Sequence, residues 1–191
     1  MWDVVLGIVA FVCYFIYDWN ESGKKLRHFH GLFLAGSIIL CLATIVLVLE
    51  GYHCIGYKGT YQIVFGILCL LSFCVLIYTL FFALPMKETY VAVHNEKPSV
   101  CDTGMYALCR HPGFIGYGFF YLFLFLIFPC REVLIGAALL CGCNFVYIVA
   151  EDIYFFPKMF SDYDTYRKTV PFMVPNKSSA IKCVKTMQGR K

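Results

Sequence analysis

From Gly104 to Gly116 the chain reads Gly-Met-Tyr-Ala-Leu-Cys-Arg-His-Pro-Gly-Phe-Ile-Gly, and later, at the end of a long apolar run, it carries an acidic pair, Glu151-Asp152. Pro112 suits the first position of a helix, where its missing N–H costs nothing and its fixed φ is already helical. The exposed N–H groups that follow make an anion site, strengthened by Arg110 and by the positive end of the helix dipole. At the other end, carboxylates directly after an apolar helix are disfavoured by that helix's dipole and call for compensation. One helix end therefore offers a place for a carboxylate and the other a place for an ammonium, the two charges of an amino-acid head. Blander readings stay open here. Arg110 and His111 could anchor a helix end at lipid headgroups, Gly113 and Gly116 could serve helix packing, and Glu151 could pair with Arg110 to hold two helices closed.

Positioning these groups falls to the elements around them. The turn Pro129-Cys130-Arg131-Glu132 is short enough to force the apolar runs on either side into an antiparallel helical hairpin. His111 and Glu151 each lie twenty residues from Arg131. Helices rise ~1.5 Å per residue, so the two should return to the same depth.

The chain has 191 residues, 60% of them hydrophobic and only 15% charged, with a mean hydropathy of +0.71. That is more apolar surface than one soluble core of this size can bury, and lipid must serve as solvent. Uncharged stretches at about Val4 to Tyr17, Phe29 to Leu49, Tyr61 to Leu84, Phe114 to Pro129 and Val133 to Ala150 predict an all-α polytopic membrane helix bundle of about five transmembrane helices. The first run follows Asp3 rather than a basic residue and precedes no small-residue cleavage site, so it reads as a retained span rather than a secretory leader. The expected organisation is a single membrane domain over 1–191. It comprises three spans in 1–84, a region in 85–175 that holds the last two spans and the polar motifs, and a basic tail in 176–191.

With the N-terminus outside, the segments Asp18 to His28, Pro85 to Pro112 and Glu151 to Lys191 hold 3, 3 and 8 of the 16 Lys and Arg residues, leaving Lys58 and Arg131 on the far side. This asymmetry predicts a cytosolic site and C-terminus, with the N-terminus outside or lumenal. The tail has five basic residues and no acidic ones. It could rest on anionic lipid headgroups or remain solvated. Nothing suggests a nucleic-acid partner, and no ionisable side chain inside the apolar runs marks a transport pathway.

Six of the eleven cysteines, Cys13, Cys41, Cys69, Cys74, Cys141 and Cys143, lie inside apolar runs as small hydrophobes, and no metal site is expected. Cys54 and Cys130 fall on the outer side and could pair in an oxidising compartment. His28 and His30 read as interfacial polar residues.

The ordered combination Gly104, Tyr106, Arg110-His111-Pro112, Phe114, Gly116, then Glu151-Asp152, Phe160, Tyr163, Tyr166 and Val170-Pro171 resembles the isoprenylcysteine carboxyl methyltransferase family and the related phospholipid methyltransferases. The resemblance covers about residues 104 to 175; before it, the chain is similar only in being spans. It implies a helical membrane enzyme that binds S-adenosyl-L-methionine from the cytosol and takes a lipidic or lipidated acceptor from the bilayer. Tyr106, His111, Pro112, Gly116, Glu151, Tyr163, Tyr166 and Pro171 would then hold the cofactor, and Arg110, Glu151 and Asp152 would do the catalytic work. Three positions depart from the family pattern: Phe114 and Asp152 stand where tyrosine and glutamate are usual, and Phe172 where a basic residue is common.

Methyl transfer from a sulfonium is an in-line displacement, and positioning in a dry pocket supplies much of the acceleration. The motif match favours a carboxylate acceptor, as in isoprenylcysteine-type O-methylation, which is already ionised and would be oriented by Arg110, over the alternative of phospholipid N-methylation. An aminolipid acceptor must first lose a proton, with Glu151 or Asp152 as general base. A non-catalytic membrane scaffold is the reading from a different class. The membrane would be endoplasmic reticulum or bacterial plasma membrane.

Overall fold

The computed structural model describes residues 2–23, 26–57, 59–83 and 97–188. Leu84, the segment 85–96 and residues 189–191 lie outside it, and with them the end of the third expected span and much of the central polar segment. The described residues contain helices and no strand.

Helix α1 spans Trp2–Glu21, α2 Leu32–Ile55 and α3 Thr60–Ile77, and α3 continues into a wider π turn at Tyr78–Phe82. A short α4, Met105–Leu108, precedes α5, Pro112–Ile127. Helix α6, Arg131–Ala150, runs into a second π turn at Glu151–Phe155 and then α7, Phe156–Met159; α8 is Tyr163–Thr169 and α9 Lys177–Gln188. Four stretches are long and apolar enough to cross a membrane: Trp2–Glu21, Arg27–Ile55, Thr60–Phe82 and Arg131–Met159. The protein is thus an all-α polytopic bundle. The fourth expected span, Phe114 to Pro129, forms a helix of 16 residues, about 24 Å long at 1.5 Å per residue.

Helix α1 packs along α2, α3 along α5, and α6 against α1, α2 and α5. Phe11, Tyr14, Leu47, Tyr117, Tyr121, Leu124, Val133 and Leu140 meet in the centre. The outward faces are apolar as well, with Val5, Ile8, Leu34, Ile38, Ile67 and Leu70 all about half exposed or more, the pattern of a bundle solvated by lipid. Without a hydrophobic drive between helices in lipid, small residues and polar pairs hold them together. A Cβ on Gly116 would lie 3.1 Å from the Leu76 N and 3.3 Å from the Ser72 carbonyl oxygen, so this glycine lets the backbones of α3 and α5 touch. Thr44 and Tyr121 share a 2.7 Å hydrogen bond between α2 and α5, and Gln62 Nε2 donates to the carbonyls of Gly56 and Ile127, 3.0 Å each.

The basic tail is ordered over most of its length. Helix α9 docks on α4, burying Ser179 and Cys183; the Gly104 N–H donates to Thr186 Oγ1 at 2.9 Å, and Lys182 Nζ pairs with Asp102 at 2.6 Å. In place of a disordered end, Lys177–Gln188 is a packed helix whose buried stripe faces the protein.

Candidate functional site

Arg110 and His111 sit at the mouth of α5, with His111 in the N-cap position and Pro112, fully buried, at the first helical residue. Their backbone is fixed from the C-terminal side: the Arg110 N–H donates to the Pro171 carbonyl at 2.9 Å and the His111 N–H to the Phe172 carbonyl at 3.3 Å. Glu151 and Asp152 arrive on the π turn that ends α6. A wider turn narrows the angle between consecutive side chains, and both acids flank one imidazole. Glu151 Oε2 lies 3.7 Å from His111 Nδ1, and Asp152 Oδ1 lies 3.7 Å from His111 Nε2, distances beyond hydrogen bonding.

Asp152 is the hub. Arg110 Nη1 donates to both its oxygens at 2.6 and 2.9 Å, the Tyr163 hydroxyl donates to Oδ1 at 2.6 Å, and Arg167 Nε stands 3.5 Å from Oδ2. The ion pair that closes this hairpin end therefore runs from Arg110 to Asp152 rather than to Glu151. The shorter aspartate suffices because Arg110 and Tyr163 reach toward it from opposite elements. These partners, with the positive end of α5, compensate the acids at the end of α6.

His111 is 6% exposed, stacked on Phe156 with ring centres 5.9 Å apart and met edge-on by Phe172 at 5.1 Å. The same Phe172 ring lies 5.4 Å below the Arg110 guanidinium carbon. The phenylalanine in place of a basic residue thus seals the arginine and histidine with an aromatic face. Burial first, with Arg110's charge adding, pushes His111 below its ordinary value of 6.5, against the pull of Asp152. Its Nε2 and Arg110 Nε are buried and have no hydrogen-bond partner among the described residues. Two such orphaned nitrogens in one buried cluster are costly, and they point to a ligand.

Tyr166 donates to the Tyr106 carbonyl at 2.7 Å, and the Tyr106 hydroxyl donates to the Thr79 carbonyl on the π turn after α3 at 3.0 Å. Tyr163 and Tyr166 pack with Phe160 and Val170 in a small core under the site. Burial raises both phenols, so they remain protonated donors. Burial likewise pushes the Cys109 thiol up to about 11, which removes it as a nucleophile at neutral pH.

The structure brings Arg110, His111, Glu151, Asp152 and Tyr163 into direct contact, with Tyr106, Tyr166 and Pro171 around them. Gly116 lies away from them, against α3; of the two uses open to it, helix packing takes it. Sequence reasoning missed Asp18, a buried carboxylate at the end of α1 that accepts a 2.6 Å hydrogen bond from Tyr147 on α6 and lies within electrostatic reach of Glu151. The signal was available, because Asp18 ends the first apolar run as Glu151 ends the last. Asp18, Glu151 and Asp152 outnumber Arg110 and the half-exposed Arg167. His30 pairs with Glu21 at 2.8 Å on the surface, as expected of an interfacial residue. An apolar cavity of about 600 Å³ between α2, α3 and α5, lined by Val48, Ile63, Phe73, Leu124 and Phe128, contains none of the site's groups.

No family model, curated protein or solved structure matches this chain. The resemblance to membrane methyltransferases rests on the motif residues themselves.

Proposed function

We propose that this protein is an S-adenosyl-L-methionine-dependent methyltransferase acting on a lipidic acceptor held in the bilayer. The observation that carries the reading is the pair of orphaned nitrogens, Arg110 Nε and His111 Nε2, buried beside the acids Glu151 and Asp152. An amino-acid head with an added sulfonium complements this cluster: a carboxylate for the orphaned nitrogens and two cationic centres for the acids. Bound, the cofactor supplies an electrophilic methyl group.

The chain's own residues do the rest. Glu151 accepts the amino group, His111 and Arg110 donate from the mouth of α5, and Asp152, clamped by Arg110 and Tyr163, holds the arginine in place. Phe156 and Phe172 keep water from the imidazole. Isoprenylcysteine-type carboxyl O-methylation and phospholipid N-methylation both remain within reach of this machinery, and the charge arrangement favours the second. Arg110 already spends Nη1 on Asp152, which leaves little free charge to orient a substrate carboxylate. Glu151, by contrast, stands 3.7 Å from the buried imidazole with no arginine clamped to it and can take the proton of an amine.

The test is calorimetric binding of S-adenosyl-L-methionine and its demethylated product to detergent-purified protein, with Glu151→Gln and His111→Ala alongside. Micromolar binding weakened tenfold or more by each substitution, about 1.4 kcal/mol, is expected. Absence of binding by well-folded wild type would overturn the assignment and leave the scaffold reading. Methyl transfer to phosphatidylethanolamine against transfer to a prenylcysteine then decides the acceptor.

A further inference from the structure

The far end of the bundle holds a second cluster of donors. There α2 ends at Ile55, and α5 turns into α6 through Phe128 to Cys130. Two contacts bring these segments together. A Cβ on Gly51 would lie 2.8 Å from Phe128 and from Val133, so glycine alone lets the last turn of α2 lie against the turn between α5 and α6. Gln62 ties the carbonyls of Gly56 and Ile127 to one amide, which closes the loop after α2 onto the end of α5. As a result Cys54, Cys130 and Glu132, from sequence positions far apart, place their Sγ, Sγ and carboxylate oxygen atoms within 4.8 Å of one another. Both cysteines are free thiols, and Cys54 and Glu132 are exposed with Cys130 partly so.

We propose that Cys54, Cys130 and Glu132 bind a thiophilic divalent cation, with zinc the best match. Around a tetrahedral zinc, with Zn–S near 2.3 Å and Zn–O near 2.0 Å, a sulfur and an oxygen ligand stand about 3.5 Å apart and two sulfurs about 3.8 Å. The Cys54 Sγ to Glu132 Oε2 distance is 3.5 Å, already at ligand spacing. The remaining separations, at most 4.8 Å, close by about 1.3 Å at most, a rotamer adjustment open to solvent-facing side chains. A disulfide would use the two thiols and leave the carboxylate beside them without a role, whereas a cation uses all three. Two thiolates and a carboxylate more than offset the two charges of the dication and leave the fourth position to water. Binding releases the two thiol protons to solvent. The set of two thiolates with one carboxylate selects zinc over magnesium or calcium, which prefer oxygen alone. This site lies at the opposite end of α5 from Arg110 and His111, and it does not rest on the methyltransferase reading.

The experiment is a cobalt(II) titration of the full chain in detergent with a non-thiol reductant, followed by displacement with zinc. Tetrahedral thiolate coordination gives cobalt intense visible bands and a sulfur-to-metal charge-transfer band. We expect saturation at one cobalt per chain and loss of the bands on adding zinc. Cys54→Ser and Cys130→Ser should each weaken binding by a hundredfold or more, since even outer partners of a metal ligand are worth about 10–100-fold. Cys143→Ser, inside α6, should leave the titration unchanged. Glu132→Gln keeps both thiols and the fold, and should weaken binding without abolishing the charge-transfer band. Reduced, folded wild type that shows no bands at micromolar cobalt, or bands that survive the Cys54→Ser/Cys130→Ser double variant, would overturn the proposal. Isolation as a Cys54–Cys130 disulfide that binds no metal after reduction would do the same.

Discussion

Asp152 joins more of the site than any neighbour, and the consequences of altering it follow from burial. Its pair with Arg110 is among side chains only 10% and 5% exposed, so screening by water is slight. Removing one partner of such a pair leaves an uncompensated buried charge, a cost on the order of 3–5 kcal/mol. Asp152→Asn keeps the shape and loses the charge. It should lower the unfolding midpoint in detergent more than Tyr163→Phe, which removes one 2.6 Å hydrogen bond worth about 1–3 kcal/mol. Equal effects would mean the guanidinium finds another partner. His111 sets a pH dependence whose sign can be worked out. Its folded value is lowered, so the unfolded chain takes up a proton first. The stability it contributes is complete above the ordinary 6.5 and is lost as pH falls below that value toward the folded one. Melting temperatures measured between pH 7.5 and pH 5 should fall more steeply for wild type than for His111→Asn, about 1.4 kcal/mol for each unit by which the folded value is depressed. Parallel curves would show that another group carries the acid sensitivity.

The helices test a different kind of statement, that glycines on one helix do different work according to the face they occupy. A Cβ on Gly116 meets backbone atoms of α3 at 3.1 and 3.3 Å, and backbone cannot swing aside. Two residues on, nothing lies within 4 Å of a Cβ on Gly118. Gly116→Ala should therefore destabilise by about 1–3 kcal/mol, as overpacking does, and Gly118→Ala should be neutral within about 1 kcal/mol. Unfolding in a denaturing detergent series measures both, and similar effects would refute the tight α3–α5 contact. At this scale the sequence was informative where a period or a turn left a mark. Pro129 to Glu132 announced the hairpin, and the equal spacing of His111 and Glu151 from Arg131 anticipated that they meet. The π turn at Glu151–Phe155 left no mark, since it depends on how α6 is pulled toward Arg110 and Tyr163 rather than on local propensity. Helix α9 was missed for a related reason: Lys177, Lys182 and Lys185 made it look solvated, while the stripe that docks is only Ser179, Cys183 and Thr186. Asp18 was hidden because its partner, Tyr147, sits on a helix far away in sequence.

For the whole molecule the open geometrical question is whether the 16-residue α5 carries the chain across the bilayer. Its length of about 24 Å is short against a hydrocarbon core of ~30 Å. The two clusters bear on this, because they sit at its two ends. Cys130, just after α5, lies with Cys54 at the end of α2, while Arg110 and His111, just before α5, lie with Glu151 at the end of α6. Since α6 is of spanning length, its ends lie on opposite faces of the membrane, and α5, joined to it by a tight turn and meeting its far end again, must bridge the same gap. Tilted packing and the polar residues 97–111 at its mouth can make up the difference in length. Five crossings would put Cys54 and the C-terminal helix on opposite faces, and the excess of Lys and Arg around the Arg110 end predicts that this face is the cytosolic one. A membrane-impermeant maleimide applied to intact cells should therefore label Cys54 in a variant whose other ten cysteines are serine, while an epitope fused after Lys191 stays inaccessible until the cytosolic face is opened. If both were reached from the same side, α5 would be re-entrant and Arg110 would share a face with Cys54, which the 20-residue length of α6 between Glu132 and Glu151 forbids in this fold.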